Sequence, residues 1–319
     1  MIRQTSSHAH NGPGNEWAVI LAGGDGTRLK SLTRQIAGDE RPKQFCSVLG
    51  HATLLQETQG RAALELARER MLYVVNHDHE SYYAPILADE TADNLVVQPS
   101  NRGTAPAILY SLLRIAARDP KAVVAFFPSD HYISDNDKFM AQMRTALDTA
   151  RERRGLVVLL GLEPDSPEVE YGWIEPALPI CGHAKVFGVR RFWEKPNRML
   201  AQILQLRGCL WNSFVMAASV EALLEIIESA IPDLYRSFAC LTPLFGSTAE
   251  GKAIDHLYGR LQEINFSHQV LALKPERLAV LKVTGVRWND LGEPKRVMAS
   301  LDMAGLRPQW IERAIPQFV

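Results

Sequence analysis

The sequence predicts an α/β layered fold with a largely parallel sheet. Three observations predict it. Short apolar runs at residues 17–21, 71–75, 95–97, 122–127 and 156–161 read as buried strands. Helical patterns at 53–68, 105–117 and 137–153 separate most of them, and strands alternating with helices imply parallel pairing. The chemically distinctive residues follow the first, third and fourth runs, where ligands gather in such sheets.

The first run ends at Ala22-Gly23-Gly24, a strand entering a glycine loop. The third leads through Gln98-Pro99-Ser100-Asn101-Arg102-Gly103 to a helix for which Thr104 is the expected cap, with Pro106 tolerated in the first turn. The fourth ends at Pro128-Ser129-Asp130-His131. The second half is more mixed. A strand is expected at 184–193, helices at 198–205 and 220–229, mostly helical chain at 232–259, late strands at 278–283 and 286–288, and a closing helix at 293–303. No internal repeat and no sharp domain boundary is visible.

Composition narrows the class. The 319 residues are 46% hydrophobic, enough for a substantial core, and a formal net charge of -1 argues against a nucleic-acid or membrane-surface protein. Cys46, Cys181, Cys209 and Cys240 are scattered without a CxxC pair, which fits a reducing cytoplasm rather than a zinc knuckle or disulfide framework. No apolar run approaches membrane-spanning length. Residues 1–15 are polar, without the apolar core of a targeting peptide, and read as a disordered tail.

Several segments carry chemistry. In Leu21-Ala22-Gly23-Gly24-Asp25-Gly26-Thr27-Arg28-Leu29, three glycines let backbone amides approach a polyphosphate and Arg28 adds a fixed charge; a tight strand-to-helix turn is the ordinary alternative. The loop lacks the Gly-Lys-Ser/Thr of a Walker loop, and Leu29 stands where a dinucleotide fingerprint needs a small residue. Lys43, behind Pro42, suits a phosphate as a point charge, although a lysine is by itself usually a surface residue. Asp130 at a strand end suits Mg²⁺, or simply a turn; the adjacent His131 is not assigned as a ligand, because Mg²⁺ prefers oxygen. Asp290, in Trp288-Asn289-Asp290-Leu291-Gly292, is a second carboxylate for the same ion only if the fold brings it there. Glu194-Lys195-Pro196, Trp211-Asn212-Ser213 and Tyr171-Gly172-Trp173 offer charges, amides and aromatic faces of the kind sugar pockets use, and equally of the kind cores and turns use.

Taken in order, these segments resemble the sugar-1-phosphate nucleotidyltransferase family, and most of all its mannose-1-phosphate guanylyltransferases. The matching pieces are LAGGDGTRL (21–29), RPKQF (41–45), TLLQET (53–58), NRGTAPAI (101–108), FPSDHYI (127–133), YGWI (171–174), FWEKP (192–196), LWNS (210–213) and WNDLG (288–292). The resemblance implies a Rossmann-like nucleotide-binding core with sugar-binding insertions. It implies that Leu21, Ala22, Gly23, Gly24, Gly26 and Thr27 line the nucleotide and that Asn101, Gly103 and Thr104 lie near its base. Arg28, Lys43 and Lys195 are implied as the catalytic cations, the first two on the triphosphate and Lys195 on the sugar phosphate. Gly172, Glu194 and Asn212 are implied as sugar contacts, and Asp130 and Asp290 as ligands of Mg²⁺, the implied cofactor.

The implied reaction joins a nucleoside triphosphate to a hexose 1-phosphate, with GTP, mannose 1-phosphate and GDP-mannose as the expected set. The same reaction on another sugar or base, and a non-catalytic nucleotide-sugar-binding regulator, are the alternatives. The expected layout is a nucleotide-binding half at 16–162, a sugar-binding half at 163–305 and a C-terminal extension at 306–319. A cytoplasmic enzyme without nucleic-acid or membrane partners is expected, and a homodimer is compatible with it.

The sequence departs from the family pattern at several points. Lys30 and Ser31 replace a Trp-Pro pair, Val169 and Glu170 replace a Thr-Gly pair, and Phe214 replaces a glycine. Ser267 and Ala272 stand where the family usually carries two carboxylates. Most departures fall on the sugar side.

Overall fold

The computed structural model describes residues 14–314. Of the polar tail read at residues 1–15 only the last two are described, and residues 315–319 of the C-terminal extension also lie outside the described residues.

The described residues form eleven strands: β1 Glu16–Leu21, β2 Met71–Asn76, β3 Leu95–Gln98, β4 Val123–Pro128, β5 Tyr132–Ile133, β6 Val157–Leu162, β7 Gly172–Ile180, β8 His183–Glu194, β9 Leu210–Ser219, β10 Leu278–Val283 and β11 Trp288–Asn289. Nine make one sheet in the order β3-β2-β1-β4-β9-β6-β10-β8-β7, and β11 and β5 make a separate two-stranded ribbon. β3, β2, β1 and β4 pair in parallel, as do β6 and β10. β9 enters between β4 and β6 antiparallel to both, and β8 runs antiparallel to β10 and β7. The sheet is therefore mixed, with most strands pointing one way.

Alternation explains why the central strands are apolar throughout. Along β1, Trp17 and Val19 face one core while Ala18 and Ile20 face the other; along β4, Val124 and Phe126 oppose Val123, Ala125 and Phe127 in the same manner. Both sheet faces are covered, so both sets of side chains must be apolar. The helices Thr104–Arg118, Val220–Ala230 and Pro232–Ala239 contribute to the first core. The helices Leu54–Ala62 and Asn136–Glu152 contribute to the second.

Several expectations shift. The helix expected over 53–68 ends at Ala62, behind a capping box of Thr53 and Gln56. β7 and β9 form where aromatic and polar segments gave no strand signal. Thr104 is the first helical residue rather than the cap; Gly103 holds the cap position, and the Thr104 hydroxyl accepts from the Phe266 amide at 2.9 Å.

A third apolar cluster lies under the loops that matter below. Leu29 and Leu291, each beside a candidate site residue, and Tyr132, two positions after Asp130, pack with Leu301, Trp310 and Ile311. The Trp310 indole donates to the Val48 carbonyl at 3.1 Å. Burying these side chains together fixes three loops from distant parts of the chain against one another. No helix among the described residues is long and apolar enough to cross a membrane.

Candidate active site

The glycine loop leaves β1 at the carboxyl edge of the sheet, and its shape is set by buried amide side chains. Gln44 donates to the carbonyls of Ala22 and Gly24 at 3.0 and 2.7 Å, and Asn76, at the end of β2, donates to that of Gly23 at 2.7 Å. Gln98, ending β3, donates to Asn76 at 3.3 Å and accepts from the Tyr258 hydroxyl at 3.1 Å. A Cβ on Gly23 would lie 2.7 Å from the Gln98 amide nitrogen and would push that side chain off its hydrogen bonds to Asn76 and Tyr258. The carbonyls of Ala22, Gly23 and Gly24 are thus all taken by protein donors.

Two clefts border this loop, and a third adjoins the first of them at Phe214. The first, about 270 Å³, is lined by Leu21, Gly23, Gly24, Asn101, Gly103 and Thr104, with Phe214 on its wall. Its far side is fixed by exchange with Ile264, which donates to Arg102 and accepts from Ala105, both at 3.0 Å. Gly103 has φ 82, and a Cβ there would meet the Ile264 carbonyl oxygen at 2.4 Å. Asn101 donates to Asp25 at 2.9 Å and accepts from the Gly103 amide at 3.0 Å. Ala22 is buried and is not part of this lining.

The second cleft, about 240 Å³, is lined by Gly26, Thr27, Arg28, Lys43, Asp130 and Gly292. Asp130 borders both clefts and so marks their junction.

Asp130 and Asp290 converge through the small ribbon. β5 begins two residues after Asp130, β11 ends immediately before Asp290, and Asn289 pairs with Tyr132. Lys43 completes the closure. Its ammonium lies 3.2 Å from the Asp130 carboxylate and donates to the main-chain carbonyls of Asp290 and Leu291. One Asp290 oxygen accepts from the Tyr171 hydroxyl, the Gly292 amide and the Arg296 guanidinium at 3.1, 2.9 and 3.0 Å. The other faces Arg28 at 3.9 Å. Burial works to raise the Asp290 pKa, but Lys43, His131 and Arg296 outweigh it and hold the carboxyl below its usual range.

His131 is mostly buried at the wall of the third cleft, and burial pushes its pKa down to about 4, so it is neutral near pH 7. Its Nδ1 accepts from the Trp288 indole at 3.2 Å. A neutral imidazole holding an indole is a structural support. Among the described residues no group of three or more His, Cys, Asp or Glu side chains is arranged to hold a metal. Two carboxylates beside a phosphate-sized cleft still suit a hard cation that takes most of its oxygens from substrate and water.

The third cleft, about 130 Å³, is lined by Glu170, Gly172, Glu194, Asn212, Phe214 and Asp290. Gly172 lies so close to its neighbours that a Cβ would meet Glu194 Oε2 at 3.0 Å and the Asn212 Cβ at 3.2 Å. Burial raises the Glu194 pKa, against the pull of Lys195, His268 and Ser267. Lys195 lies 3.7 Å from Glu170, which also lies 3.4 Å from Arg28.

Lys195, Phe214 and Leu291 are the non-glycine residues with positive φ among those described, at 47, 60 and 48°. All three adjoin this site. Each such conformation costs about 1 kcal/mol or more, so the surrounding packing must hold it.

The structure thus gathers every residue singled out in the sequence except Ala22 onto these clefts or into ion pairs with their walls. It adds Arg296, Gln44, Asn76, Asp25 and Glu170. Gln44 lies inside the RPKQF segment and carried a signal there. Arg296 is an ordinary charged residue of a closing helix and carried none.

The fold is that of an α/β protein whose mixed sheet carries a glycine loop and aspartate-lined clefts at its carboxyl edge. The chain belongs to the family described as Nucleotidyl transferase, which matches residues 17–301. It is 29% identical over 280 residues to the alginate biosynthesis protein AlgA of Pseudomonas syringae pv. tomato, covering 86% of this chain and 56% of that protein. It is 29% identical over 291 residues to mannose-1-phosphate guanylyltransferase 2 of Escherichia coli O157:H7, covering 86% of this chain and 58% of the relative. The chain therefore spans little more than half the length of these curated relatives. A crystal structure described as mannose-1-phosphate geranyltransferase from Thermus thermophilus superposes with a TM-score of 0.73 at 30% identity, covering 87% of this chain and 76% of that one.

Proposed function

We propose that this chain transfers a nucleotidyl group from a nucleoside triphosphate to a sugar 1-phosphate, with GTP and mannose 1-phosphate as substrates and GDP-mannose and pyrophosphate as products. The observation that carries the reading is the Lys43 ammonium. It joins the Asp130 carboxylate to the main chain of Asp290 and Leu291 where the first two clefts meet. The choice of mannose and guanine leans on the names of the relatives.

In this reading the base and ribose lie in the first cleft, the triphosphate passes over the glycine loop into the second, and the sugar occupies the third. The nucleotide is then held by the half at 16–162 and the sugar by the half at 163–305. A phosphate oxygen of the sugar 1-phosphate attacks the α-phosphorus, and the bond from that phosphorus to the oxygen bridging to the β-phosphorus breaks, releasing pyrophosphate. Both reactants are anions. Arg28, Lys43 and Lys195 screen their repulsion and stabilise the charge of the transition state. Asp130 and Asp290 would hold a Mg²⁺ ion, which supplies further charge neutralisation to the phosphates. The attacking phosphate is already largely ionised near pH 7, so no general base is assigned, and alignment of attacker and leaving group supplies the rest.

A second reading keeps the reaction and changes the sugar or base. Glu170 and Phe214, both on the third cleft, favour it. The test is pyrophosphate release from the purified chain across a panel of triphosphates and sugar 1-phosphates with Mg²⁺. The highest kcat/KM is expected for GTP with mannose 1-phosphate. A better pair would move the reading to that pair, and no release with any pair would remove the enzymatic reading.

A further inference from the structure

Glu170 stands between two of the cations assigned to substrate phosphates. Its Oε2 lies 3.4 Å from Arg28 Nη1 and 3.7 Å from Lys195 Nζ. The carboxylate thus sits where an anion bridging Arg28 and Lys195 would sit.

The segment that presents it is anchored on both sides. The Glu168 carbonyl accepts from the Trp173 indole at 2.8 Å, and the Glu168 carboxylate pairs with Arg296. Tyr171 is buried and donates to Asp290 at 3.1 Å. Between these anchors the Glu170 side chain is 39% exposed, as against 51% for Arg28 and 53% for Lys195. It can swing into solvent without moving the backbone that holds it.

We propose that Glu170 is a built-in competitor for the phosphate of the sugar substrate, and that it sets the affinity and selectivity of this site for anions. The proposal rests on the reading of the third cleft as the sugar-phosphate site. A carboxylate offers one negative charge in a plane. A phosphate monoester offers nearly two, on three oxygens, and can engage Arg28 and Lys195 at once. Phosphate monoesters therefore displace Glu170, while anions of single charge compete with it poorly. The site discriminates by charge at some loss of affinity.

The test is calorimetric binding of mannose 1-phosphate and of inorganic phosphate to the full chain at low ionic strength, for wild type, Glu170→Gln and Glu163→Gln. Glu163 pairs with Lys282 away from this site and removes the same formal charge. Glu170→Gln is expected to lower both Kd values roughly three- to tenfold, the scale of releasing two exposed ion pairs. It is also expected to bind acetate measurably better than wild type. Glu163→Gln is expected to leave all three unchanged. A merely structural Glu170 would weaken binding when replaced, so an unchanged or higher Kd in Glu170→Gln overturns the proposal, as does an equal gain in Glu163→Gln. Tighter phosphate binding in a chain that releases no pyrophosphate with any substrate pair would sustain the anion site and remove only the catalytic reading.

Discussion

The Lys43 ammonium lies 3.2 Å from the Asp130 carboxylate and 3.1 Å from the Leu291 carbonyl oxygen, so one side chain ties together segments nearly 250 positions apart. Lys43 is almost fully buried, whereas Asp130 retains 30% of its side-chain exposure. Removing one member of a buried pair costs about 3–5 kcal/mol, and the exposure of Asp130 reduces that here to about 2–3 kcal/mol for Lys43→Ala. Turnover should fall by roughly 10²–10³, because a transition-state cation is lost. Denaturant midpoints together with pyrophosphate release measure both effects.

Asp130→Ala should separate fold from function. The Asp130 side chain is at the cleft surface, but its loss leaves the buried Lys43 ammonium held by main-chain carbonyls alone, so the fold should survive at a cost of about 1–3 kcal/mol while turnover drops by two or more orders of magnitude. Asp290→Ala should also cost stability, because it strands the Tyr171 hydroxyl and the Gly292 amide and leaves Arg296 with Glu168 alone. Equal melting temperatures for the two variants would contradict this division.

Gly103→Ala probes the first cleft. The new Cβ would lie 2.4 Å from the Ile264 carbonyl oxygen on a backbone at φ 82, a clash with main chain that no rotamer relieves. A loss of about 2–4 kcal/mol and a raised KM for the triphosphate are expected. Unchanged values for both would show that the loop from 101 to 104 is not fixed as described.

Glu194 gives a pH-dependent prediction. Burial raises its folded pKa, so the folded protein takes up this proton more readily than the unfolded chain. The charged form then costs stability above the folded pKa, and that cost disappears as pH falls through it. Glu194→Gln should therefore melt higher than wild type at pH 7, with the difference closing as pH falls through and below the ordinary glutamate range. The same variant should lose roughly tenfold or more in kcat/KM, for want of a charged hydrogen-bond acceptor. A lower melting temperature at pH 7 would refute the account of Glu194.

The thiols offer an independent check on the packing. Cys46 and Cys209 are buried, and burial pushes their pKa values up to about 12 and about 11, while Cys181 and Cys240 are exposed. Alkylation of the native chain at pH 8 should label Cys181 and Cys240 and spare the others until denaturant is added.

Much of this was legible in the sequence because it is local. The apolar runs of β1, β2, β4 and β6 are buried on both faces, so they read without knowledge of their neighbours. The glycine loop and the cations were visible as residue types in order. The insertion of β9 between β4 and β6 was not, since strand order depends on contacts far apart in the chain. Segment 288–292 gave Asp290 but not the pairing of Asn289 with Tyr132 that carries it to Asp130. Arg296 and Glu170 acquire their roles only through partners distant in sequence. Thr104 was misplaced by one position, because its hydroxyl finds the Phe266 amide rather than its own helix.

The central claim is that Asp130 and Asp290 hold one divalent cation against the phosphates of a single substrate. Anomalous diffraction from Mn²⁺, in a crystal of this chain soaked with Mn²⁺ and GDP-mannose, tests it most directly. The account predicts one peak touching both carboxylates and the diphosphate. A diphosphate bound elsewhere, or a metal peak that touches neither aspartate, would contradict it.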